Sequence, residues 1–108
     1  QNTNLQSAKM SAADLSDADV RGADLQGANL SDARLVNTDF SGVDARGAHF
    51  AQAYIEANFE KADLRGANLR AAGLIETNMR GADLRNAVFD MASINADLSG
   101  ADLRGAMF

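Results

Sequence analysis

Cysteine is absent from this 108-residue chain, which excludes a disulfide framework and a thiolate metal site and leaves the redox compartment open. His49 is the only histidine, so it can join neither a zinc site of the usual kind nor a Cys–His pair, and it reads as a solvated outward residue. Long apolar runs are missing too: none approaches the length of a spanning helix and no signal-peptide pattern is present, so a soluble chain without membrane attachment is expected. Basic residues are in the minority, 10 Lys and Arg against 15 Asp and Glu, for a net charge of −5 and a pI near 4.6. That balance argues against direct binding to nucleic acid or an anionic membrane and fits a basic or neutral protein partner. A Gly-x-Ser-x-Gly elbow, a P-loop and a dinucleotide fingerprint are likewise lacking, so neither an enzyme nor a cofactor is expected.

What is present is a period of five. Ala23-Asp24-Leu25-Gln26-Gly27, Ala62-Asp63-Leu64-Arg65-Gly66 and Ala82-Asp83-Leu84-Arg85-Asn86 share one form: Ala, then Asp or Asn, a large apolar centre and two variable residues. Centres recur at every fifth position from Leu5 to Ile55, from Phe59 to Ile94 and from Leu98 to Phe108, which makes 22 units in a single domain over 1–108. The residue two before the centre is Ala in 18 units, Thr in three and Val in one; the residue just before it is Asp in nine and Asn in five.

Such a period suits neither common element. On a helix successive centres advance by about 140° and smear around the surface; on a straight strand an odd period sends them to alternate faces. The chain must therefore turn a corner in every unit, with Ala and the centre inward, Asp or Asn outward, and the two remaining residues in the bend. Glycine at the second bend position, as at Gly27 and Gly66, supplies the positive φ of a tight turn. The chain is all-β and coiled, one side per unit.

These units resemble the pentapeptide-repeat family, whose motif is Ala-Asp/Asn-Leu/Phe-X-X. The resemblance implies a right-handed quadrilateral parallel β-helix with four units per coil, here about 5.5 coils, and a bacterial protein. Four sides also follow from two one-residue-short corners, at 55–59 and 94–98, which lie eight units apart; eight divides by four but not by three. Both then stack on one edge, two coils apart.

Every fourth unit shares a face. The inward columns predict a core that includes Leu25, Leu30, Phe40, Phe50, Phe59, Leu64, Leu69, Leu84 and Phe89, with Ala45 and Val43 compensating the phenylalanines around them. Face one carries Asp24, Asp44, Asp63, Asp83 and Asp102 beside Arg46, Arg65, Arg85 and Arg104, and face four carries Asp19, Asp39, Asn58, Asn78 and Asp97. These side chains are expected to hold corners by accepting backbone N–H bonds, and the arginines argue against a cation site. Faces two and three break the rule, with Lys9, His49, Val88 and Met107, then Arg34, Tyr54, Gly73 and Ser93. With Val36, Ile75 and Met91 expected to be exposed at bends, the candidate partner surface is Val36, His49, Tyr54, Ile75, Val88 and Met91.

The expected function is a non-catalytic protein–protein interaction module or scaffold. One alternative, suggested by the family, is a DNA mimic that binds DNA gyrase or another DNA-binding protein, which the arginine ladder and short rod disfavour. Another is an architectural rod or homodimer joined through the C-terminal coil at Leu103, Met107 and Phe108. Gln1 already lies close to the first unit, which suggests a processed or cropped start. Bacterial cytoplasm is slightly favoured over periplasm or lumen.

Overall fold

A computed structural model describes residues 3–108; Gln1 and Asn2, where the sequence opens, lie outside the described residues. The chain is a right-handed quadrilateral parallel β-helix of about 5.5 coils, 28 Å long and 22 Å across in both other directions. Each coil stacks in parallel on the one before. Asp24 pairs with Asp44, Asp44 with Asp63, Asp63 with Asp83 and Asp83 with Asp102, so full and one-residue-short coils alternate in the second half of the rod.

One unit accounts for all of its backbone donors. The N–H of Ala23 closes the preceding turn on Val20 O (3.1 Å), Asp24 donates down to Thr3 O (2.8 Å) and Leu25 donates up to Asp44 O (2.7 Å). Gly27 donates to Arg46 O (3.0 Å) in the next coil. The remaining N–H, that of Gln26, finds no carbonyl and donates instead to Asp24 Oδ1 (3.1 Å). An unmet backbone donor is costly, so the outward Asp or Asn supplies the acceptor that the backbone of the corner lacks. All nine Asp and five Asn rungs do this, from Asn4 to Asp102.

At one edge of the square the chain runs through the corner as strand. β1 (Arg34–Asp39), β2 (Tyr54–Asn58), β3 (Gly73–Asn78) and β4 (Ser93–Asp97) form a parallel sheet in sequence order. Each begins at a face-three residue that is neither Asp nor Asn. β1 and β3 have six residues and β2 and β4 five, and the register shifts within every pair where the lengths are reconciled. Thr38 and Thr77, in the longer strands, are buried, and their hydroxyls donate to Leu15 O (2.9 Å) and Ile55 O (3.0 Å) of the coil before.

Inside, the centres of the middle coils are sealed from water, Leu25, Leu30, Phe40, Phe50, Phe59, Leu64, Leu69, Leu84 and Phe89 among them. Phe40 and Phe59 stack with centroids 4.6 Å apart, and Phe50 stands edge-on to both at 6.1 and 5.7 Å. Ala45 is buried in the coil between Phe40 and Phe50, the small centre where the large rings meet. Centres at both ends of the rod, such as Leu5, Met10, Leu98 and Leu103, are only partly covered because one coil is missing above or below them.

Candidate interaction surface

Faces one and four consume their own charge. Arg65 grips Asp63 in its own unit through two bonds, Nε to Oδ1 at 2.9 Å and Nη2 to Oδ2 at 2.6 Å, and its Nε stands 3.6 Å from Asp83 of the next coil. Arg46, Arg85 and Arg104 grip Asp44, Asp83 and Asp102 in the same way. On face four Arg21 spans Asp19 (2.7 Å) and Asp39 (3.5 Å), while Ser41 and Ser99 donate their hydroxyls to Asp39 and Asp97. The Arg104 hydrogen bonds hold the Asp102 carboxyl at about 2, below its usual 3.8, and Arg46 and Arg85 lower Asp44 and Asp83 in the same sense. The Ser99 bonds lower Asp97 likewise. Carboxylates and guanidinium groups therefore interleave along face one, five aspartates against four arginines.

Faces two and three differ. Away from the last coil, the exposed large apolar side chains among the described residues are Tyr54 (40%), Ile75 (36%) and Met91 (76%), all from these faces and their corners. Arg34, one rung below Tyr54, lays its guanidinium over the ring with its carbon 5.4 Å from the centroid. Tyr54 pairs with Gly73 and Gly73 with Ser93, so small rungs follow the aromatic one. Met91 stands on the corner between faces two and three, over a depression of about 250 Å³ lined by Ala51, Gln52, Arg70, Ala71 and itself, with Arg70 Nη2 3.6 Å from its sulfur.

Two of the residues expected to be exposed are not. Val36 is half-buried, paired with Glu56 of β2 in the next coil. Val88 is half-buried between the Asn68 and Met107 rungs of face two. His49 is exposed on the same face, separated from Val88 by Asn68. The surface therefore divides: Tyr54, Gly73 and Ile75 share one patch with Met91 at its margin, while His49 and Val88 stand apart. At the C-terminal coil Met107 (53%), Phe108 (66%) and Ile94 (38%) are exposed, Leu103 is half-buried, and Phe108 stacks on Phe89 at 5.0 Å.

Two further grooves, about 470 and 500 Å³, follow the five-residue strands, where the missing corner residue lowers the surface. Glu56, Glu76 and the carboxamides of Asn37, Asn58 and Asn78 line the first. Sequence reasoning missed these grooves; the short corners were its only trace of them. Among the described residues no group of three or more His, Asp or Glu side chains is arranged to hold a metal ion, and no helix is long and apolar enough to cross a membrane.

A family model described as pentapeptide repeats matches residues 1–27, 23–56 and 55–90, with 8 copies. Among solved structures, a pentapeptide repeat protein of the cyanobacterium Nostoc Pcc 7120, alr5209, is 31% identical with a TM-score of 0.72, over 89% of this chain and 84% of that one. Rfr23 from the cyanobacterium Cyanothece 51142 is 30% identical with a TM-score of 0.54, over 92% of this chain and 58% of its own length. QnrB1, a plasmid-mediated fluoroquinolone resistance protein, is 26% identical over 91% of this chain and 59% of that one, but superposes only to a TM-score of 0.43. No curated protein matches the chain.

Proposed function

Because this chain belongs to the pentapeptide-repeat family, we propose that it is a non-catalytic protein-binding rod that docks its partner through face three and the adjoining corner of face two, around Tyr54, Ile75 and Met91. One observation carries the reading. The repeat stabilises itself with buried centres and Asp or Asn corners, yet these three large apolar side chains face water together on one side, while faces one and four expose none away from the last coil. Exposed apolar groups that the fold does not require mark contact sites. The test is a pull-down from host lysate with the wild-type chain beside a Tyr54→Ala/Ile75→Asp variant of matching circular dichroism. The partner band is expected to vanish in the variant; unchanged bands would move the contact elsewhere.

The DNA-mimic reading, in which gyrase or another DNA-binding protein is the partner, is weaker. Such a mimic needs a continuous anionic surface, and here arginines offset four of the five aspartates of face one, from Asp44 to Asp102. End-to-end association or a homodimer is favoured by the exposed Ile94, Met107 and Phe108. It predicts a mass that rises with concentration in sedimentation equilibrium and falls to one copy in a Phe108→Asp variant.

A further inference from the structure

Of nine glycines, eight occupy bends at positive φ, where a side chain is strained; Gly73 is the exception. It opens strand β3 with an ordinary strand backbone, and a Cβ placed on it meets nothing within 4 Å. Neither conformation nor close packing asks for glycine there, and glycine weakens a strand. Its effect is an empty rung on an otherwise continuous outer ladder.

The neighbours of that rung describe what fits it. Tyr54 stands on one side and Ser93 on the other; with coils about 4.8 Å apart, the gap between them is about 10 Å, enough for one planar group at stacking distance from the ring. Arg34 already covers the opposite face of Tyr54, so the side toward Gly73 is the open one. Along the strands lie Ile75 and the carboxylates Glu56 and Glu76, which form no ion pair among the described residues, in contrast to the gripped Asp rungs of face one. Asp14, Asp17 and Asp90 add negative charge on the same side, against Arg34 and, at the corner beside Met91, Arg70. Arg34 sits about 10 Å from the empty rung, roughly one screening length at physiological salt, so its repulsion there is weak.

Resting on the docking face proposed above, we infer that the Gly73 rung receives the guanidinium of an arginine carried on an extended basic segment of the partner protein. The guanidinium stacks on the open face of Tyr54, and Glu56 and Glu76 compensate its charge. Arginine fits better than lysine because its charge is spread over a plane that stacks on an aromatic ring.

Tyr54 is the only tyrosine and tryptophan is absent, so intrinsic fluorescence reads this rung directly. The probe is a blocked nonapeptide of alternating glycine and arginine, titrated at physiological salt beside its lysine and citrulline counterparts. The arginine peptide is expected to change the tyrosine emission saturably and to bind several-fold tighter than either counterpart. Gly73→Val, whose Cβ meets nothing within 4 Å, is expected to weaken binding by about tenfold or more while melting no lower than the wild type. Glu56→Gln/Glu76→Gln should lower the affinity and its salt dependence. Equal binding of the lysine peptide, no change in emission, or wild-type affinity in Gly73→Val would each overturn the inference. The docking face is judged separately: a lysate partner lost by Tyr54→Ala/Ile75→Asp but kept by Gly73→Val retains the face and removes the arginine.

Discussion

Two sides of one square rod obey different rules. On faces one and four every corner is closed by an Asp or Asn that accepts the orphan N–H, and the carboxylates are gripped by arginine, serine or glutamine of the same unit or the coil before. On face three, from β1 onward, that acceptor is replaced by Arg34, Tyr54, Gly73 and Ser93, the corner opens into strand, and the freed outer positions carry an aromatic ring, an empty rung and glutamates that form no ion pair among the described residues. The difference teaches that a corner holding itself through a side chain has none to offer a partner, whereas a corner held by sheet pairing alone leaves its outward positions free to vary.

The widest separation between the two sides is expected in binding. Tyr54→Ala with Ile75→Asp should cost the partner about 30-fold or more in affinity, the scale of a central contact, while Arg65→Ala on face one should leave it unchanged; equal losses, measured by titration calorimetry with the captured partner, would erase the distinction. Next comes one substitution with opposite signs. Gly66→Val forces a β-branched residue into φ +68 and should destabilise by about 1–2 kcal/mol, whereas Gly73→Val in ordinary strand should stabilise by about 0.5–1 kcal/mol, both read from urea midpoints. A smaller contrast is the corner bond itself. Asn68→Ala removes the acceptor of the Arg70 N–H (3.0 Å) and should cost about 0.5–1.5 kcal/mol, while Ser93→Ala, which closes no corner, should stay within about 0.5 kcal/mol.

The smallest effect is in pH. Carboxyls such as Asp102, held at about 2 against 3.8 when unfolded, favour the folded state above the unfolded value and lose that contribution as pH falls toward the folded one. The melting temperature is therefore expected to be level from neutrality to about pH 4 and to drop between there and pH 2. An Asp102→Asn variant should soften that drop, and an identical profile would show that the ladder contributes nothing.

How much of this was legible in the sequence depended on whether a residue acts within its own unit. The five-residue period dictated the inward centres, because only a corner in every unit keeps Leu25, Leu30 and Phe40 together. The same period made the Asp and Asn rungs readable as corner holders, since donor and acceptor lie two residues apart. The pairing of short corners on one edge could be counted from Ile55 and Ile94, but not the grooves they leave, because a groove needs neighbours a coil away. Val36 and Val88 were misread for that reason: each is half-covered by residues about twenty positions distant. The sequence by itself thus determined the coil, its core and its closed corners, all built from contacts within a few residues. Only the tertiary structure decided which side stays open, because stacking sets Arg34, Tyr54 and Gly73 on adjacent rungs and turns a missing side chain into a space.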